Sequence, residues 1–139
     1  MRARASIEIG RPIERVWEFV AEPANDPQWC PKVRRVEPDG PSRWMVLHQP
    51  VPFRPPERLA LEVVAAEFPR RLRLREEDRS STFEVEYQLT PTDHGTRFTQ
   101  VSVFRWPALP RIAQLVLAAG VRRDIKRQVR QLKRVLESS

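Results

Sequence analysis

The segment from Arg111 to Leu136 contains no proline and sets Ala118, Val121, Ile125, Val129, Leu132 and Leu136 at steps of three and four, which draws one apolar stripe along a helix. Unbroken, such a helix is roughly 39 Å long at about 1.5 Å per residue. The rest of the chain must supply a surface of that length to cover the stripe. The two halves of the helix differ. Ile112, Ala113, Leu115, Val116, Leu117, Ala118 and Ala119 make the first half apolar on nearly every side, so more than one face of it needs cover from protein, ligand or partner. From Val121 onward Arg123, Lys126, Arg127, Arg130, Lys133 and Arg134 form a basic face opposite the stripe, and cations in the last turns suit the negative end of the helix dipole. Gly120 marks the junction, where a kink or local break is cheap.

The preceding chain reads as strands of one-sided character. Ala3, Ala5, Ile7 and Ile9 alternate with Arg2, Arg4, Ser6 and Glu8 in a half-buried strand. Pro12 then opens a short helix to about Ala21, with Ile13, Val16, Trp17 and Val20 at helical spacing. Pro23, Asn25, Asp26 and Pro27 break it, and a loop ends in Gln28-Trp29-Cys30-Pro31. Strands follow at Val33 to Val36, Arg43 to Gln49, Glu57 to Glu67, Arg70 to Glu76, Thr82 to Thr90 and Thr96 to Trp106. Their short links predict an antiparallel meander with one wet face, on which arginine and glutamate ladders can pair across strands. The segment Pro50-Val51-Pro52-Phe53-Arg54-Pro55-Pro56 cannot be a central strand, because proline donates nothing to a ladder; it belongs at a rim or edge. Strand, short helix, six strands, long helix then has one economical solution: an α+β fold in which a curved antiparallel sheet of about seven strands wraps its apolar face around the C-terminal helix.

A chain of 139 residues and 16.3 kDa is expected to be one domain, 1–139. No apolar run approaches the roughly 20 residues of a membrane-spanning helix, and MRARASIEIG lacks the apolar centre of a secretory signal, so the expected location is cytoplasmic. Cys30 is the only cysteine, which argues against a disulfide or a thiolate metal site; no metal and no cofactor are expected. The net charge of +7 raises a nucleic-acid partner, yet the arginines are scattered along alternating strands as well as on the helix, and nucleic acid is read as unlikely. A peripheral contact of the basic helix face with an anionic membrane or RNA stays open, as does monomer against homodimer.

Several stretches together resemble the START-like, or SRPBCC, superfamily, the helix-grip fold of Bet v 1-type allergens, polyketide cyclases/dehydrases and lipid-transfer domains. The likeness is carried by Ile9-Gly10-Arg11-Pro12-Ile13-Glu14-Arg15-Val16-Trp17-Glu18-Phe19-Val20 after the opening strand, Asn25-Asp26-Pro27-Gln28-Trp29, Gly95-Thr96-Arg97-Phe98, and the closing Gln131-Leu132-Lys133-Arg134-Val135-Leu136. It covers essentially the whole chain. It implies a mostly apolar cavity between sheet and long helix that binds a hydrophobic small molecule such as a lipid, isoprenoid or polyketide. The alternative is a cyclase/dehydrase-type enzyme using the same cavity, and whether the protein is an enzyme stays open.

Strand parity supplies the candidate lining independently. Phe83, Tyr87, Phe98, Phe104 and Trp106 point to the apolar side, facing a helix half that contributes Leu115 and Ala119. Gln100 and Ser102 share that parity, and a polar group held inside without a partner costs about 1–3 kcal/mol, which makes both candidate ligand contacts. His48 shares parity with Trp44 and Val46 and completes the set, although both faces of its strand are partly apolar. His94 in its Thr-Asp-His-Gly turn and Glu14 and Glu18 on the first helix read as solvated, and Cys30 as a buried, inert thiol. No nucleophile with its base and no phosphate loop is recognisable.

Overall fold

Alternation in the first nine residues produces strand β1 (Arg2–Ile9), whose alanines and Ile9 are buried while its arginines face out. In this computed structural model, which describes residues 1–79 and 81–139, the elements that follow are α1 (Ile13–Val20), a single 3-10 turn (Pro23–Asn25), α2 (Asp26–Trp29), β2 (Val33–Pro38), β3 (Arg43–His48), β4 (Glu57–Glu67), β5 (Arg71–Glu77), β6 (Thr82–Thr92), β7 (Gly95–Arg105) and α3 (Arg111–Glu137). The seven strands form one antiparallel sheet in the order β1-β7-β6-β5-β4-β3-β2. Register shifts at Val33/Arg35 and at Val63/Ala65 mark bulges, which bend a strand and strengthen its twist.

Two local readings change. The segment after α1 is helical rather than open loop. Glu22 accepts from the Ala24 N–H at 3.2 Å, Asn25 Nδ2 donates to the Phe19 carbonyl at 3.0 Å, and Pro27 sits in the first turn of α2, where its missing N–H is no loss. Strand β2 also runs to Pro38, which an edge strand tolerates.

Helix α3 runs through Gly120 without a break. Ala118, Ile125, Val129, Leu132 and Leu136 are buried as the stripe requires, chiefly against β1 and α2. Its C-terminal end is tied to the β1–α1 turn. Gly10 N–H donates to Glu137 Oε2 at 2.7 Å, and the Arg11 guanidinium donates to the Glu137 and Ser139 carbonyls at 2.7 and 3.1 Å, satisfying groups the helix end leaves free. At the other end Gln114 Nε2 donates to the Trp106 and Leu109 carbonyls at 3.2 and 2.8 Å, which ties the first turn to the segment after β7. Ile112 is 78% exposed, Val116 68% and Leu115 50%, so the described residues do not supply the cover its sequence calls for.

Register places the two ends of the sheet. Val103 beside Arg2, Thr82 beside Arg105, Glu77 beside Thr82, His48 beside Glu57 and Val33 beside His48 all lie at one end. The proline-rich β3–β4 loop and the start of α3 therefore share that end, with Phe53 83% exposed. The anchored end of α3 lies at the other.

Candidate functional site

Pairing across the sheet stacks the inward side chains into rows. One runs Ala5, Gln100, Tyr87, Leu72; the next Ala3, Ser102, Val85, Leu74, Val63; the third Phe104, Phe83, Glu76, Leu61, Trp44. Parity in the sequence thus brings Phe98, Gln100, Ser102, Phe104, Tyr87 and Phe83 onto one inner surface, with Trp106 just beyond β7; all are buried except Phe83, which is half-buried. The aromatics fall into two groups. Tyr87, Phe98 and Trp29 meet with centroids 5.2 to 6.0 Å apart, and Phe83, Phe104 and Trp106 with centroids 4.9 to 6.0 Å apart. Between them Gln100 Nε2 donates to Ser102 Oγ at 3.5 Å, and Gln100 Oε1 is buried with no partner.

The structure adds acids to this surface. Glu76 stands inward between Leu61 and Phe83. Burial pushes its carboxyl up to about 7. Asp26, buried on α2, is raised well above the usual carboxylate range, first by burial and then by the neighbouring charges of Glu76 and Glu22. The Trp29 indole N–H pulls the other way without closing a hydrogen bond of ordinary geometry. Burial, with Asp26 and Glu76 nearby, also raises the Cys30 thiol and the Tyr87 phenol, so both stay protonated at neutral pH. Cys30 is accordingly no nucleophile. Asp26, Trp29 and Cys30 share one short segment that packs on Tyr87, and the Glu76 charge is felt by Asp26, Cys30 and Tyr87.

Sequence reasoning passed over Asp26, Glu76 and Trp29 as site residues. Glu76 was available from parity, since it continues the inward series Leu72, Leu74. Asp26 and Trp29 were not, because a four-residue helix in a proline-rich stretch carries no periodic signal.

The remaining candidates lie elsewhere. His48 is half-buried at the end of β3, paired with Glu57 and Val33; burial first, then Lys32, lowers its basicity, while Asp78, Glu57 and Asp124 oppose this. Leu115 and Ala119 are exposed and do not join the inner surface, because the first turns of α3 stand clear of the sheet. On the outer face a concavity of about 320 Å³ is lined by Arg71, Arg73, Arg75, Glu84 and Glu86 among others. Its charges pair across strands, Arg71 with Glu86 at 2.7 Å, so it is the ladder the alternation predicts rather than a lined pocket.

A curved antiparallel sheet gripping a long C-terminal helix, with a helical segment after the first strand, is the helix-grip class of α+β fold. The chain belongs to the family described as polyketide cyclase/dehydrase and lipid transport, whose profile matches residues 1–137. Solved structures agree on the fold. A protein from Thermus thermophilus is 15% identical with a TM-score of 0.78, covering 99% of this chain and 98% of its own. A conserved protein from Geobacillus kaustophilus is 18% identical at 0.78, covering 100% and 97%. One from Nitrosomonas europaea is 18% identical at 0.78, covering 99% and 95%. No curated protein matches the chain significantly.

Proposed function

We propose that this protein binds a hydrophobic small molecule, of lipid, isoprenoid or polyketide character, between the inner face of the sheet and α3. The observation that carries the reading is Gln100: its Oε1 is buried on an aromatic-rich surface with no partner, a cost of about 1–3 kcal/mol that a ligand hydrogen bond would offset. Glu76 supports it. Its carboxyl is shielded strongly enough to sit near 7 yet keeps part of its surface accessible, as a group lining a hollow does. Native mass spectrometry of the full chain, with organic extraction of what it carries, tests the proposal. One apolar molecule per chain, released on denaturation, is the expected result; a bare chain that takes up no apolar compound from a mixed lipid and polyketide library contradicts it.

Glu76 also favours a second reading, catalysis of the cyclase/dehydrase kind. A carboxyl titrating near neutrality can take a proton and return it. Under that reading Glu76→Gln binds substrate and does not turn it over.

A further inference from the structure

The end of the sheet opposite the anchored turn carries apolar side chains that the described residues leave uncovered. Ile112, Leu115, Val116 and Ala119 are all exposed and share one stripe along α3, which the exposed Arg122 and Arg123 continue. Phe53, also exposed, sits in the β3–β4 loop, and the base of that loop adjoins the same helix. Gln49 N–H donates to the Lys32 carbonyl at 2.7 Å, and the Lys32 ammonium pairs with Asp124 of α3. Ile112 stands twelve residues before Asp124, so the helix reaches about 18 Å beyond that point at about 1.5 Å per residue. Loop and helix start thus present their apolar side chains at one end of the molecule.

Charge decides what such a surface meets. From Arg105 to Arg123 the chain has four arginines and no acid, and Arg54 follows Phe53 directly. Arg54, Arg111, Arg122 and Arg123 join no ion pair among the described residues. A second copy of the chain answers this poorly. Pairing the stripe with itself sets arginine near arginine with no carboxylate between them, and four side chains are few against the roughly 20–30 residues a side of a stable interface. An RNA would meet the arginines and leave the apolar side chains in water. A bilayer holding anionic lipids satisfies both. We propose that this end docks on an anionic membrane surface: Phe53, Ile112, Leu115 and Val116 enter the boundary between headgroups and acyl chains, and Arg122 and Arg123 meet lipid phosphates. The surface is built from outward side chains and needs no molecule bound between the sheet and α3.

Co-sedimentation of the full chain with vesicles of phosphatidylcholine alone, and of phosphatidylcholine with an equal part of phosphatidylglycerol, tests the proposal. Binding to the mixed vesicles is expected to be at least about tenfold tighter than to the neutral ones. It should weaken steeply as salt rises from ~0.1 to ~1 M, over which the screening length falls from about 10 to about 3 Å. Arg122→Gln combined with Arg123→Gln should remove most of the margin between the two vesicles. Ile112→Ser combined with Val116→Ser should weaken binding to the mixed vesicles by at least about tenfold, and thermal unfolding should stay at the parent value because both side chains are exposed. Phe68→Ser, which removes an exposed ring from the β4–β5 turn at the opposite end of the sheet, should leave vesicle binding unchanged. No sedimentation with the mixed vesicles at the lower salt overturns the proposal. So does binding that the Ile112 and Val116 changes leave intact, or polyuridylate held as tightly as the mixed vesicles, since either makes this a site for phosphate alone. A dimer in analytical ultracentrifugation that those same two changes dissolve overturns it as well, by giving the stripe to a second copy. Each of these outcomes leaves the proposed binding between sheet and α3 in place.

Discussion

The indole of Trp29 meets the Tyr87 ring edge-on, with centroids 5.7 Å apart and planes at 60°. That contact fastens α2 to the middle of the sheet, and with it Asp26, three residues earlier in the same turn. Trp29 is fully buried and also packs edge-on against Phe98. Trp29→Ala is expected to lower the unfolding free energy by about 3–5 kcal/mol, read from urea denaturation. Trp29→Phe keeps a ring against Tyr87 and removes the orphaned N–H, so its loss should be clearly smaller.

Glu76 makes stability depend on pH in a direction opposite to most carboxyls. Its folded value is about 7 against 4.5 for a free side chain, so its contribution is fully present below about 4.5 and is lost as pH rises through about 7. Discounted for partial accessibility, the loss is ~1–3 kcal/mol. Asp26, also raised, acts with the same sign. Half-buried Glu137 acts oppositely, its carboxyl lowered by Lys133, Gly10 and Arg11, which is why the comparison of interest is parent against Glu76→Gln. The two should be equally stable near pH 4.5, and the variant more stable at about pH 8. Thermal unfolding across that range checks it; a variant less stable than the parent at the higher pH would contradict the placement of Glu76.

Two glycines should respond with opposite sign to the same substitution. A Cβ added at Gly120 meets nothing within 4 Å, and the residue is mid-helix, so Gly120→Ala should stabilise by about 0.5–1 kcal/mol. Gly95 has φ +151° and a Cβ there would lie 2.1 Å from the Ile9 carbonyl oxygen. Gly95→Ala forces the β6–β7 turn away from β1 and should cost more than about 2 kcal/mol. Equilibrium unfolding of the two variants is the measurement.

What could be read from the chain itself follows from where its periodicity is strong. Alternation through Phe83, Val85, Tyr87 and Leu89, and through Phe98, Gln100, Ser102 and Phe104, gives strand direction and inward face together, and both stand in the structure. The stripe of α3 is legible for the same reason. Its first half was not, because Ile112 to Ala119 is apolar all round and periodicity then carries no direction; Leu115 and Ala119 turn out exposed. Asp26 escaped notice because its burial depends on α2 folding over Tyr87, a tertiary event with no local mark. Glu76 was visible in principle and was hidden by its neighbours, since a run of arginine and glutamate reads as a wet ladder unless parity is followed to its last residue.

The fluorescence of phenylnaphthylamine, a neutral apolar dye that brightens when removed from water, tests most directly whether an oily chamber lies between the sheet and α3. Titration into the parent protein should saturate at one dye per chain, and Ser102→Phe, which fills the middle inward row, should abolish the signal while circular dichroism shows the fold retained. A signal that never saturates, or one that Ser102→Phe leaves untouched, would mean that the inner face is closed by the protein's own side chains.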